Sequence, residues 1–370
     1  VGIWDWKDEK VRKGVRKVLR QNLCAGKEDK VAVLTDTYKE KVGELLFWEA
    51  TNLNIPVFHH TYQPTGRHGL EPPESVWRAV FGQEFVEEVK EKGLFERILK
   101  KEFSSSDELE VKEILLETTS PNQLPTAVIA VNQHSISHTL FRKLCSEFLS
   151  IRFASMPLFE PFMFYTSLQA NWNLVSRRSI EIASLLTDSV SARVTCPLGT
   201  DLRFSLDGRE GLADTGKICS PGDFGNLPAG EAFVAPVEGT AEGVFVTRYA
   251  PDRELKSPVK FIVESGRVRE ALGEDDFSTF INSLIHKERN ADNVAEFGVG
   301  TNERAKVKTN ILEAEKILGT CHIALGDNSS FGGKVKANLH MDLLIERPTV
   351  ILELKNGRDF VLMEDGDLKV

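Results

Sequence analysis

"KVAVLTDTYKEKVGELLFWEATNLNIPVFHH", residues 30–60, sets the fold of the first half of the chain. A short apolar run ends in Asp36, and Val42, Leu45, Leu46 and Ala50 then recur at helical spacing. "IPVFHH" reads as a second strand. The same order returns downstream as "TAVIAVN" (126–132), the helix-like "HTLFRKLCSEFL" (138–149) and the strand-like "IRFASM" (151–156). Strands that alternate with helices predict β–α–β units and a parallel sheet. No G-x-G-x-x-G follows any of these strands, which argues against a dinucleotide site. Between them, residues 82–118 are charged and helical, interrupted at Ser104–Ser106. There Ser105 and Glu108 are spaced as a capping box for a second helix. The charge alternation of this stretch reads as a solvated face.

Beyond residue 185 the texture changes. "ARVTCPLGTDLRFSLDGRE" (192–210) alternates around a turn, and "SPGDFGNLPAGEAFVAPVEGTAEGVFV" (220–246) mixes Gly and Pro with short apolar runs. Both patterns predict antiparallel strands with elaborate loops. "TVILELKNGRDFVLMEDGDL" (349–368) reads as a hairpin turning at Asn356-Gly357. The expected fold class is α/β: an N-terminal parallel-sheet α/β domain, 1–185, and a C-terminal α+β domain, 186–370, rich in antiparallel strands and carrying a metal site.

Composition bounds the function. The chain has 370 residues, too many for one ordinary core, so two domains fit its length. Lys plus Arg number 46 against 55 Asp plus Glu, a net charge of −9. A general nucleic-acid binder would need a cationic face, so that class is set aside. No apolar run approaches a bilayer span. The N-terminal "VGIWDWKDEKVRKGVRKVLRQ" is charged and amphipathic, without the apolar core of a secretory leader. A cytoplasmic protein is expected. The five cysteines, Cys24, Cys145, Cys196, Cys219 and Cys321, form no C-x-x-C pair. Free thiols in a reducing compartment are therefore expected, not a disulfide framework or zinc ribbon.

The chemistry gathers in "GTCHIALGDNSSFGGKVKANLHMDLLIE" (319–346). His340 and Asp342 are two positions apart, so on an extended segment both side chains point to one face. An imidazole beside a carboxylate suits a metal ion. His322 sits across a Gly-rich loop able to fold back toward them. Glu231, in "GNLPAGEAFVAP", heads an apolar strand after a Pro-Gly turn. A carboxylate there is costly unless paired or bound to an ion. Glu296 repeats this in "NVAEFGVGTN". Three carboxylates and two histidines suit two divalent cations sharing a bridging ligand. His59-His60, His134 and His138 lie at strand ends, where a parallel sheet binds ligands, although surface or helix-capping roles are commoner. His286 lies on a charged helix and reads as solvated.

"GDFGNLPAGEAFVAPVEGTAEG", "AEFGVGTNERAKV" and "EKILGTCHIALGDNSSFGGKVKANLHMDLLI", in this order, resemble the M29 metallopeptidases, the leucyl aminopeptidase or aminopeptidase T family. "SHTLFRKLCSEFLSIRFASMP", "VTCPLGTDLRF" and "DTGKICSPGDFGN" extend the resemblance over about 134–350. It implies a metal-dependent aminopeptidase, a homodimer acting on peptides. It also implies a dinuclear site in which Glu231, Glu296, His322, His340 and Asp342 hold two Zn, Co, Mn or Mg ions. Glu231 or Glu296 would then accept the proton of the metal-activated water. The family's tyrosine after the first histidine is missing from "GDNSSFGG".

A ring-cleaving iron enzyme, 2,5-dihydroxypyridine dioxygenase, is similar in the same C-terminal blocks, including the terminal H-x-D, and implies one Fe(II) held by two histidines and a carboxylate. Its block corresponding to Glu296 carries a histidine, and it has none at the place of His322. On that difference the residues favour hydrolysis over oxygen chemistry.

Overall fold

A computed structural model of the chain describes residues 7–370. The first six residues of the amphipathic N-terminal stretch lie outside the described residues. Strands β1 (Val31–Asp36), β2 (Val57–Tyr62), β3 (Ala127–Asn132) and β4 (Arg152–Pro157) alternate with helices, as the pattern at 30–60 implies. They pair in parallel in the order β2-β1-β3-β4. Both β1 and β3 are buried along their whole length, the physical reason for their nearly unbroken apolar sequences. The chain continues through β5 (Ser189–Thr195), β6 (Asp201–Ser205) and β7 (Leu212–Asp214), then returns as β8 (Phe224–Asn226) to extend the parallel sheet beside β4.

The rest of the chain is almost entirely antiparallel. It comprises β9 (Glu231–Val234), β10 (Glu242–Ala250), β11 (Arg253–Glu264), β12 (Arg267–Leu272), β13 (Val294–Gly300), β14 (Thr320–Gly326), β15 (His340–Glu346), β16 (Thr349–Leu354), β17 (Asp359–Glu364) and β18 (Asp367–Leu368). One sheet runs β12-β11-β10-β6-β5-β16-β17-β18, and a second runs β15-β14-β13-β9-β7. A shared core that includes Phe245, Phe261, Phe297, Val299, Ile323 and Ile345 draws on both. β16 and β17 form the hairpin expected at Asn356-Gly357.

The architecture is thus an α/β protein with one parallel and two antiparallel sheets. It divides into two compact units, 1–169 with 216–228, and 170–215 with 229–370. This differs from the boundary expected at 185. Helix Trp172–Thr187 packs on β7 and β9, so it belongs with the antiparallel unit. The segment around β8 crosses back because its hydrogen bonds go to β4.

Two local expectations are corrected. The capping box lies one residue earlier: the Ser104 side chain accepts from Asp107 N–H while Asp107 accepts from Ser104 N–H. The cysteines are not all free, because Cys24 and Cys219 form a disulfide across 195 positions. Spacing could not reveal it. The pair meets because the end of the first helical segment lies against the loop before β8, where Ile218 N–H donates to the Asn22 carbonyl. Cys145, Cys196 and Cys321 are free, and Cys321 packs in the antiparallel core. Among the described residues no helix is long and apolar enough to cross a membrane.

Candidate metal centre

The sheet β15-β14-β13-β9-β7 has two chemically different faces, and strand alternation creates both. One face presents Ala232, Val234, Phe297, Val299, Cys321, Ile323, Leu343 and Ile345 to the core. The alternate positions build the other face. The register sets Asp214 opposite Glu231 and Glu231 opposite Gly300. It sets Phe233 opposite Gly298, and Gly298 opposite His322. Glu296 lies opposite Ala324, Ala324 opposite Asp342, and Gly326 opposite His340. All five residues singled out in the sequence therefore converge on one face, from four strands.

Small residues make the convergence fit. The His322 ring lies across the backbone of β13, and a Cβ at Gly298 would fall 2.1 Å from its Nε2. At Gly300 a Cβ would meet the Ile317 carbonyl at 2.1 Å. Gly298 thus clears the floor on which the imidazole rests, and Gly300 admits the backbone at Lys316–Ile317.

Two groups on this face are able to hold a metal ion, Glu231–Glu296–His322 and Glu296–His340–Asp342, and Glu296 belongs to both. His322 Nε2 lies 3.2 Å from Glu296 Oε1, 3.4 Å from Glu231 Oε2 and 3.9 Å from Asp342 Oδ1. His340 Nε2 lies 3.4 Å from Glu296 Oε2 and 3.3 Å from Asp342 Oδ1. His340 Nδ1 is 2.8 Å from the Asp327 carbonyl. Donation to that carbonyl fixes the tautomer and turns the other nitrogen, a ligand atom, inward.

Behind Glu231 stands a buried ion-pair cluster that was not among the expected site residues. Like charges directly opposite in a sheet destabilise it, and Asp214 faces Glu231 in that way. Lys316, fully buried, lies between them: its Nζ is 2.5 Å from Glu231 Oε1, 3.4 Å from Asp214 Oδ2 and 2.9 Å from Glu315 Oε1. A lysine inside the apolar stretch "EKILGTCHI" was the available signal. Only the strand register tells what it neutralises.

The ionisation of the cluster follows from this crowding. Burial pulls the His322 imidazolium down, but its hydrogen bond to Glu296 and the charges of Glu231 and Asp342 prevail, pushing it up to about 9. Burial likewise opposes charge on His340, and Asp342 outweighs it, so His340 rises well above the ordinary value. Burial raises Glu296 in spite of its histidine contacts. Asp342, half-buried, loses solvation too, yet His340 holds it below the usual carboxylate range. Lys316 stays charged despite burial because Glu231, Glu315 and Asp214 surround it.

These residues fit a divalent cation on their own chemistry. Glu231 Oε2 and Asp342 Oδ1 are buried with no hydrogen-bond partner. Five carboxylates here meet one ammonium and two imidazoles. Such an excess of buried negative charge needs a cation. Neighbouring ligand atoms at about 2.1 Å from one ion lie about 3 Å apart, near the spacing already present.

The other histidines serve elsewhere. His59 shares a 2.7 Å hydrogen bond with Thr35 Oγ1, and His134 packs edge-to-face on His68. His286 is exposed and bonds to the Asn282 carbonyl within its own helix.

A family model described as 2,5-dihydroxypyridine 5,6-dioxygenase, NicX, matches residues 167–368. The solved 2,5-dihydroxypyridine dioxygenase of Pseudomonas putida KT2440 superposes with a TM-score of 0.69 at 16% identity, covering 97% of this chain and 96% of that one. Wild-type AmpT of Thermus thermophilus superposes at 0.63 with 15% identity, covering 98% and 99%. A comparison with curated proteins gives no match.

The fold is therefore shared with both enzymes, while the family match overturns the expected hydrolase, aminopeptidase and peptidase activity in favour of the dioxygenase. The carboxylate at Glu296 does not decide between the two chemistries, for a structural reason. Residue types in one block of sequence do not show that the face brings His322 on β14 into contact with Glu296 on β13. The two imidazoles of this face thus come from neighbouring strands, β14 and β15, and both touch Glu296.

Proposed function

The chain belongs to the 2,5-dihydroxypyridine 5,6-dioxygenase family, and on that premise we propose that it is an iron(II)-dependent dioxygenase that opens the ring of a hydroxylated nitrogen heteroaromatic. The observation that carries this reading is that both imidazoles turn Nε2 toward one carboxylate, Asp342 Oδ1, 3.3 Å from His340 and 3.9 Å from His322, with Glu296 joining their two ligand groups. Two histidines and one carboxylate are the donor set of non-haem iron oxygenases. His322, His340 and Asp342 would hold the metal. When bound, Fe(II) supplies the redox chemistry by which both atoms of dioxygen enter the product as a ring carbon–carbon bond breaks.

The chain's own groups bind, orient and move protons. Glu296 touches both histidines, and burial makes its carboxylate a better base than an exposed one. It accepts the proton of a ring hydroxyl, so that the substrate docks as an anion. Glu231 is held by Lys316 through Oε1, which fixes its second oxygen toward His322. The Lys316 ammonium already serves as the cation for Glu231, Asp214 and Glu315, and this supports one iron rather than two. Membership of Glu296 in both ligand groups favours a second reading, two divalent ions bridged by that carboxylate.

The test loads stripped protein with Fe(II) without oxygen, measures metal per chain, and follows oxygen uptake with 2,5-dihydroxypyridine. One iron and coupled loss of ring absorbance and oxygen are expected. Absence of oxygen uptake with hydroxypyridines by iron-loaded protein overturns the reading, and two equivalents of metal would select the bridged site.

A further inference from the structure

The loop between β14 and β15, residues 327–339, turns polar side chains toward itself and its supports. Asp327 accepts from the N–H groups of Ser329 (3.1 Å) and Ala337 (2.9 Å). Asn328 accepts from Val335 N–H at 2.9 Å and donates to Glu238 at 3.1 Å. Glu238 also accepts from Lys334 N–H at 2.7 Å and pairs with Arg209, which donates in turn to the Gly332 carbonyl.

Phe331, at the centre of this hydrogen-bonded frame, is half-buried and stands against the metal-site residues. Its ring meets the His340 imidazole at 5.7 Å and 85°, and the Phe233 ring at 5.7 Å and 75°. Phe233 is also half-buried and lies on the site face of β9, two positions from Glu231 and opposite Gly298. The rings therefore run in sequence along the site face, Phe233 against Phe331 and Phe331 against the imidazole whose Nε2 lies 3.3 Å from Asp342 Oδ1. A loop held by this many polar bonds keeps an aromatic ring beside the site instead of in a core.

We propose that Phe331 and Phe233 form an aromatic wall that selects a flat heteroaromatic ring as the ligand of this centre. The proposal rests on the ring-cleavage reading and assigns its specificity to residues outside the metal-holding set. A planar ring offers both face and edge to the two phenyl groups, the arrangements aromatic pairs prefer. A saturated ring with the same polar groups is thicker and has no quadrupole to match.

The experiment titrates iron-loaded protein, kept free of oxygen, with 2,5-dihydroxypyridine and with 5-hydroxypiperidin-2-one, a saturated lactam counterpart. Wild type should prefer the aromatic ligand. Phe331→Leu should weaken that ligand about three- to tenfold, the range of an aromatic pair, with the lactam unchanged. Phe233→Leu should shift it in the same direction, and both variants should keep wild-type iron affinity and circular dichroism. If wild type binds and cleaves the aromatic ligand but neither variant changes its affinity, or both ligands weaken equally, the wall is refuted and ring cleavage stands. If wild type binds no hydroxypyridine, the wall and the ring-cleavage reading fall together.

Discussion

Strands β1 and β3 of the parallel sheet and strands β13 and β14 of the site sheet are buried at every position, yet they are built from different sequences. "VAVL" and "AVIAV" fill both faces with aliphatic side chains because both faces of the parallel sheet are covered. "VAEFGVG" and "TCHIALG" fill one face with Phe297, Val299, Cys321 and Ile323, and leave Glu296, His322 and three glycines on the other. Burial in the first case is core alone. In the second it is core on one side and chemistry on the other, at the cost of desolvating ionisable groups that then need one another or a cation.

Substitutions on either side should separate stability from metal binding. His340→Ala should lower iron affinity roughly a hundredfold or more and abolish oxygen uptake, because losing even an outer-sphere partner costs 10–100-fold. Its melting temperature without metal should fall, because Asp342 loses the imidazole beside it, but iron should no longer raise it. Ile129→Ala in β3 should do the reverse, costing about 2–5 kcal/mol by leaving a cavity while iron still binds stoichiometrically. Loss of iron in the Ile129 variant, or wild-type iron content in the His340 variant, would break the contrast.

Lys316→Met sharpens it, since here a residue of the site sheet's polar side should behave like core. Removing the ammonium takes its charge away from the buried Glu231 and Glu315, which should cost about 3–5 kcal/mol in denaturant titration of stripped protein. A change below 1 kcal/mol would show that the carboxylates are neutralised in another way. Gly298→Ala is milder. The new Cβ forces the His322 ring to move, an overpacking cost of about 1–3 kcal/mol. Weakened iron binding should accompany it, measured by chelator competition, and unchanged affinity would mean that the ring has another position from which to bind.

The same contrast governs what could be read in advance. The parallel sheet was legible because its strands and helices are contiguous in sequence and carry their own periodicity, as at 30–60. The five site residues were legible because Glu231, Glu296 and His322 are ionisable groups in apolar strands and His340-x-Asp342 marks one face. Their partners were not. Asp214 meets Glu231 only through the pairing of β7 with β9, and Lys316 arrives from a separate loop. Phe331 lies in a stretch of Gly, Asn and Ser without periodicity, so its contact with His340 depends on how Glu238 and Arg209 hold the loop. The Cys24–Cys219 bond is likewise a product of folding, invisible in spacing. The reaction was hidden for a related reason: strand pairing, not position within one block of sequence, sets which imidazoles stand beside Glu296.

The smallest effect is the dependence on pH, and it again differs between the two regions. His322 is raised from its ordinary value to about 9 by Glu296, Glu231 and Asp342 against the pull of burial. A raised folded-state value stabilises stripped protein fully below about 6.5, and that contribution disappears as pH rises through 9. Iron needs the nitrogen lone pair, so below pH 9 loading releases the proton and affinity falls as pH drops, by up to about tenfold per unit for each proton displaced. In the parallel-sheet unit, burial pushes the Glu71 carboxyl up to about 7 although it accepts from Leu140 and Phe141 N–H. Its contribution is complete below about 4.5 and disappears as pH rises through 7, with or without iron. Melting curves at pH 6, 7.5 and 9, at one free iron concentration and without iron, distinguish the two. The difference between loaded and stripped protein should widen toward pH 9, while Glu71→Gln should flatten only the part common to both. A loaded-minus-stripped difference independent of pH would mean that His322 gives up no proton to the metal, and would remove it from the ligand set.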